Sequence, residues 1–319
     1  MNLMAIKAAA ARMAGHVRRT PLLSAPLLDR LAGRRIFVKA ECLQVTGSFK
    51  ARGGWAAVSA LPAGARGVLA MSSGNHAQGV AWAAAAHGVT AVIVMPSDAP
   101  AVKVANTRAY GAEVVLYDRA TDDRDAIAAR LAGERGLVLI PPFDHPEVIA
   151  GQGTVGLEIA AQAAEAGIGA AEVIICCGGG GLAAGTALAL AAHAPGLRVR
   201  TAEPAGFDDM ARSLASGRHE RNATTSGSVC DAILTPSPGK LTLPVLRQLA
   251  GPGLVVTDEQ ALRAVALAFA HLRLVAEPGG AVALAAALFT PDLGDTVICT
   301  ISGGNVDPDV FADALARFA

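Results

Sequence analysis

Aromatic side chains make up only 4% of the 319 residues and charged side chains only 17%. So few aromatics exclude a base-stacking platform for single-stranded nucleic acid and an aromatic girdle at a membrane. The charges also cancel, with Lys+Arg and Asp+Glu at 27 each, so no net field gathers nucleic acid or anionic lipid. The five cysteines (Cys42, Cys176, Cys177, Cys230 and Cys299) are odd in number and lack CxxC spacing. That pattern speaks against a disulfide framework and fits a reducing cytoplasm. Lysine is scarce, at five residues against 22 arginines. What is abundant is apolar residues, 52%, and glycine, 35 residues, which exclude a disordered chain and imply many tight turns. The length suggests about two domains with a large core. A soluble globular enzyme is the expectation.

Two stretches imitate targeting or membrane segments. Val173 to Ala192 carries no charge over twenty residues, but four consecutive glycines interrupt it, so a strand, a loop and a helix are expected rather than a span. The first 28 residues hold Lys7, Arg12, Arg18 and Arg19 and no acid, superficially like a transit peptide. A surface helix leading into Thr20-Pro21-Leu22 is the expected form. No secretory signal pattern is present.

Strand-like runs fall at Ile36–Lys39, Val68–Ala70, Ala91–Met95, Glu113–Tyr117, Val173–Cys176, Val199–Ala202 and Thr296–Ile301. Helical patterns alternate with them: Ser48–Ala60, Asn75–His87, Val102–Ala109, Asp122–Ala132, Val155–Glu165, Leu182–His193 and Asp258–Leu272. Such βαβ alternation predicts an α/β fold of parallel sheets covered by helices, with ligands at the carboxyl ends of the strands. The stretch Ser216–Leu241, rich in Ser, Thr, Gly and Pro, reads as a long functional loop.

Four strand-to-helix loops are candidates for chemistry. In Thr46–Gly53, Lys50 stands in the first turn of a helix, where the macrodipole disfavours the ammonium, and a Schiff-base lysine must be neutral to attack a carbonyl. Ser72–Gly79 combines hydroxyls, amides and an imidazole at a helix start, a ready carboxylate site. Cys176–Gly185 contains glycines whose amides can converge on a phosphate. Its Gly179, Gly181 and Ala184 also satisfy GxGxxA, with Glu203 about 20 residues on, which leaves a nicotinamide-dependent dehydrogenase as a rival reading. The fourth loop, Ser302-Gly303-Gly304-Asn305, places a hydroxyl at a strand end.

Taken together, Ser48–Gly53, Ser72–Gly79, Gly178–Leu182 and Ser302–Asn305 resemble, in order, the serine/threonine dehydratase and serine racemase family of pyridoxal-phosphate enzymes. Pro142-Phe143-Asp144, Ala150–Thr154 and Glu277-Pro278-Gly279-Gly280 match as well, so the resemblance runs from Arg19 to Asn305. It implies the fold-type II (tryptophan-synthase β) architecture, two doubly wound parallel-sheet domains with the active site between them. The large domain is expected over 1–50 and 143–319, and a small mobile domain over 51–142. The resemblance implies that Lys50 holds pyridoxal 5′-phosphate covalently and then shuttles the Cα proton. Phe49 would pack on the pyridine ring, Asn75 would bond its 3-hydroxyl, and Gly178, Gly179, Gly180, Gly181 and Leu182 would cradle the phosphate. Ser302 would meet the ring nitrogen. Ser72, Ser73, Gly74 and His76 would hold the substrate α-carboxylate, and Ser73 could serve the face of Cα opposite Lys50. Arg124 falls where the racemase branch has an arginine near the substrate, and would pair with a distal carboxylate.

The segment Glu203–Asp209 resembles the divalent-cation site of the racemase branch, with Glu203, the Phe207 carbonyl and Asp209 as ligands for Mg²⁺, Ca²⁺ or Mn²⁺. The implied activity is an ammonia-lyase (dehydratase) acting on a β-hydroxy-α-amino acid, 3-hydroxyaspartate or L-threonine/L-serine. Serine racemisation and β-replacement are alternatives. No regulatory extension is expected after the catalytic fold, an expectation that weighs against a feedback-controlled threonine dehydratase. Homodimers are common in the family and are expected here.

Overall fold

The computed structural model describes residues 2–99 and 101–319. Ten strands are laid out in chain order: β1 Leu22–Leu23, β2 Arg35–Ala40, β3 Gly67–Met71, β4 Thr90–Pro96, β5 Glu113–Tyr117, β6 Val138–Leu139, β7 Ala171–Cys176, β8 Leu197–Pro204, β9 Leu254–Val256 and β10 Thr296–Ile301. They form two sheets. One has the order β1-β2-β10-β7-β8-β9, the other β5-β4-β3-β6. All the strand pairings are parallel except β1 against β2. The fold is thus the α/β, doubly wound parallel-sheet arrangement expected.

Parallel sheets covered on both faces need strands that are apolar throughout, with alternate side chains entering different cores. In β7, Ile174 enters one cluster with Val282 and Leu284, while Val173 and Ile175 enter another with Leu182 and Ile159. In β4 the same split sends Ile93 to one core and Val92 and Val94 to the other. The uncharged stretch from Val173 resolves into the end of β7, a turn and the helix Gly181–His193. Among the described residues no helix is long and apolar enough to cross a membrane.

Two contacts bring the functional loops together. The helices Lys50–Val58 and Asn75–Ala86 meet at Gly54 and Gly79, where a Cβ on Gly54 would lie 2.5 Å from the Gly79 carbonyl oxygen. Only glycine permits that approach. It sets the start of the second helix beside Lys50. The second contact is an ionic cluster beneath the Lys50 helix. Arg52 donates through Nε and Nη2 to the two oxygens of Glu41, both at 2.8 Å, and through Nη1 to Glu158 at 2.6 Å. Lys39 completes it, with Nζ 2.7 Å from the Thr20 carbonyl and 2.9 Å from Gln162 Oε1, and paired to Glu158. Lys39, Glu41 and Arg52 are all fully buried.

Candidate active site

The carboxyl ends of β3, β7 and β10 and the N-terminus of Lys50–Val58 converge on one cavity of about 200 Å³. Lys50 is the first residue of its helix, and its Nζ donates to the Pro142 carbonyl at 2.6 Å. Burial brings its pKa down to about 8, against a weaker upward pull from Glu277. An amine titrating there is available as a nucleophile near neutrality, as the chemistry of a Schiff-base lysine requires. Covalent capture of pyridoxal at Lys50 by the cofactor-free protein, trapped with borohydride and mapped by mass spectrometry, is expected to rise with pH and half-saturate at about 8. Half-saturation near 10.5, the ordinary lysine value, would contradict the burial described here.

Phe49 also lines the cavity, with Lys50 Nζ 5.2 Å from its ring centroid. Its amide donates to the Ser302 carbonyl at 3.1 Å, and Ser48 bridges to Gly303, so the lysine loop and the end of β10 are stitched together. Ser302 is buried and lines the cavity beside Cys176. Asn75 lies at the same junction. Its Nδ2 donates to Glu277 Oε1 at 2.5 Å and its Oδ1 accepts from Asn305 Nδ2 at 2.7 Å. Glu277 has no role of its own in the sequence reading, although the segment Glu277–Gly280 matches the family. It is buried in the cavity wall, which raises its pKa to about 7 against the hydrogen bond from Asn75. Its sequence signal is its place in that matching segment, before Pro278 at a helix start.

Ser72, Ser73 and Gly74 line the cavity ahead of the helix Asn75–Ala86, whose N-terminus has no side-chain cap. Its first amides therefore remain available to an anion. His76 contributes differently from expectation. Its Nε2 lies 2.8 Å from the Ile140 carbonyl, and burial, helped by Lys50, lowers its pKa to about 3. The imidazole is neutral, so Nε2–H donates to Ile140 and Nδ1 carries a lone pair. That buried Nδ1 has no partner, and it can accept a hydrogen bond but cannot donate one to a carboxylate.

Gly178–Leu182 form the turn into the helix Gly181–His193, with Gly180 at φ +88°. The glycines answer to protein neighbours as well as to space for a ligand. A Cβ on Gly179 would overlap the Phe143 ring, and one on Gly181 would lie 2.5 Å from Gln152 Oε1. Gln152 and Thr235 line the same cavity with buried, unpartnered polar atoms. These orphaned groups and the uncapped amides of the glycine turn fit a phosphate-bearing ligand.

Two groups of expected site residues lie elsewhere. Arg124 is not among the residues lining the cavity. It opens the exposed helix Arg124–Arg135 after the Asp123 cap, is about half exposed, and among the described residues pairs only with Asp125. Glu203 and Asp209 are brought together on the far side of the glycine turn. Glu203 accepts from the amides of Met210 at 2.9 Å and Ala211 at 2.7 Å, whereas Asp209 Oδ1 accepts from Asn222 and its Oδ2 is buried without a partner. Burial raises both carboxyl pKa values, that of Asp209 to about 6. Phe207 is buried between them in sequence. No group of three or more His, Cys, Asp or Glu side chains with metal-binding geometry occurs among the described residues. A sealed Glu203 held by backbone amides is not free for a ribose, which removes the support for the dinucleotide reading.

A buried lysine of lowered pKa, a glycine turn at a helix start and a hydroxyl at a strand end, between two parallel sheets, define a fold-type II pyridoxal-phosphate enzyme. Comparison with known proteins agrees. The model for the family "Pyridoxal-phosphate dependent enzyme" matches residues 13–303, and the chain belongs to that family. The chain is 40% identical over 311 residues to an L-threo-3-hydroxyaspartate ammonia-lyase of Pseudomonas sp, covering 96% of each. It is 38% identical over 325 residues to a serine racemase of Oryza sativa subsp. indica, covering 99% of this chain and 94% of that one. A solved threonine deaminase from T.th. superposes with a TM-score of 0.91 at 47% identity, covering 96% and 99%.

Proposed function

We propose that the protein is an ammonia-lyase that removes water and ammonia from a β-hydroxy-α-amino acid, 3-hydroxyaspartate or L-threonine/L-serine, giving a 2-oxo acid. The observation that carries this reading is the convergence of Lys50, the helix-start amides behind Ser72–Gly74 and the Ser302 hydroxyl on one cavity. Pyridoxal phosphate, when bound, supplies the electron sink for charge developing at Cα. Lys50 would hold the cofactor and, as a free amine, would take the Cα proton. Phe49 would pack on the cofactor ring, Asn75 would bond the cofactor's hydroxyl, and Gly178–Leu182 would hold its phosphate. Ser302 would offer the ring nitrogen a hydroxyl and no charge, which would favour prompt loss of a β-leaving group. Ser72, Ser73, Gly74 and the first helix amides hold the substrate carboxylate, and the His76 lone pair accepts from a nearby donor. The β-hydroxyl leaves as water, taking up a proton in place of the one Lys50 removed from Cα, and the released enamine becomes an imine and hydrolyses to the 2-oxo acid and ammonia.

Ser73 in the same cavity supports accompanying serine racemisation, since a hydroxyl there could serve the second face of Cα. The unpartnered Asp209 oxygen beside a second buried carboxyl supports a divalent cation held by Glu203, the Phe207 carbonyl and Asp209, in a structural role. The separate four-stranded sheet supports residues 51–142 as a unit that closes over the remainder. Exposed Leu43 and Val275, on segments that both touch Gly304, support a homodimer contact, and five free cysteines support a cytoplasmic setting.

The test is release of ammonia and 2-oxo acid by the holoenzyme with Mg²⁺, against L-threonine, L-serine, D-serine and the separate stereoisomers of 3-hydroxyaspartate. Equimolar ammonia and oxo acid from at least one of them is expected. Cα-proton exchange on serine without ammonia would replace the reading with racemisation.

A further inference from the structure

Within the cavity wall stands an ion pair that none of the roles above uses. Lys103, on the helix Ala101–Ala109 that follows β4, reaches across to Asp231 in the long loop before the second half of the six-stranded sheet. Its Nζ lies 2.8 Å from Asp231 Oδ2, with the lysine side chain 15% exposed and the aspartate 59%. The pair joins the four-stranded unit to the six-stranded one at the mouth of the cavity.

The cavity's charge inventory gives this pair a role. Among the described residues, Lys50, Lys103 and His76 are the only basic side chains lining it. Lys50 is committed to the cofactor and to the Cα proton, and His76 is neutral, with a buried and unpartnered Nδ1. Arg124 stands outside on an exposed helix, paired with Asp125. A second carboxylate on the substrate therefore has one cation to meet, Lys103, and that cation already has an anionic partner that is mostly in solvent.

We propose that Lys103 is the specificity-determining residue for a distal carboxylate, and that Asp231 is the partner from which the dicarboxylate displaces it. This rests on the ammonia-lyase reading and names the substrate class it favours, 3-hydroxyaspartate. A neutral β-substituent, as in serine or threonine, leaves the Lys103–Asp231 pair intact. A distal carboxylate replaces Asp231 as the ammonium's acceptor, at little net cost because the released aspartate is already largely hydrated. Asp231 thus tunes the preference by competing for the same ammonium.

The experiment compares wild type, Lys103→Gln and Asp231→Asn in two readouts. In turnover, the ratio of kcat/KM for L-threo-3-hydroxyaspartate to that for L-serine falls about 30-fold or more in Lys103→Gln, the worth of a charge-assisted hydrogen bond. The same ratio rises several-fold in Asp231→Asn. In binding, calorimetry on each holoenzyme uses succinate and butyrate, which share length and one carboxylate and differ in the second. Succinate binds wild type more tightly than butyrate, the preference disappears in Lys103→Gln and increases in Asp231→Asn. A latch that merely joins the two sheets would lower both substrates and both probes alike in both variants, and that result overturns the proposal. Wild type acting on serine alone, with no preference for succinate, overturns it too. A wild type inactive toward every β-hydroxy amino acid yet retaining the Lys103-dependent succinate preference would refute the lyase reading while upholding the site.

Discussion

Replacing Lys50 by alanine is expected to lower ammonia release by at least about 10³-fold, the scale of losing a positioned proton-transfer group together with a covalent anchor. The geometry explains why no neighbour can substitute. Lys50 is buried at its helix start with Nζ held by the Pro142 carbonyl, and the other lysine in the cavity wall, Lys103, is held by Asp231. The alanine protein should fold, because the helix is fixed by Arg52 and by the Gly54–Gly79 contact. It should also lose the near-visible absorbance that borohydride abolishes in the wild type. A Lys50→Ala protein with full activity would sink the mechanism.

The second large effect is on stability. Arg52→Met is expected to lower the unfolding free energy by about 3–5 kcal/mol, because it strands the fully buried Glu41 below the active-site helix without its direct cationic partner and leaves Glu158 to Lys39 alone. Burial alone would push the Glu41 pKa up, but the charge and hydrogen bonds of Arg52, aided by Lys39, outweigh it and leave the net shift downward. The sign of the pH dependence follows. An acid whose folded pKa is depressed stabilises the fold above its unfolded value, 4.5, and that contribution is lost as pH falls through the folded value. Urea titrations should therefore show the gap between wild type and Arg52→Met wide at neutral pH and narrowing on acidification. Glu41→Gln serves as the companion variant should Arg52→Met fold poorly. A gap of under about 1 kcal/mol, typical of an exposed pair, would show that the cluster is wetter than the structure indicates.

The strands were legible in the sequence wherever a run was long enough to be apolar on both faces, as in Ala91–Met95 and Thr296–Ile301. β1, β6 and β9 escaped because two or three residues carry no period. The helix Pro278–Phe289 escaped for the opposite reason: it is buried nearly all round, so it has no polar face to mark a helical repeat. The helix Pro146–Glu165 starts well before the expected Val155, because Pro146 takes a first-turn position and Gly151 and Gly153 read as loop. Those glycines in fact admit close backbone neighbours, the Arg52 carbonyl at the first and the Gly185 carbonyl at the second.

Site residues divided along the same line. Lys50, Ser72–Gly74, the glycine turn and Ser302 lie in contiguous motifs at strand ends, where the fold class itself says to look. Glu277 and Gln152 lie in segments that match the family, yet like Lys103 and Asp231 they acquire individual roles only through tertiary approach. Arg124 is the converse case. Its place in sequence suggested a substrate contact, but its helix turns it to solvent beside three aspartates.

The most direct test of the account is to reduce the pyridoxal-phosphate holoenzyme with borohydride and map the modified peptide. The account predicts one phosphopyridoxyl group, on Lys50, within a tryptic peptide running from Ala40 to Arg52 because cleavage after the modified lysine is blocked. A label on another lysine, or none, would contradict it.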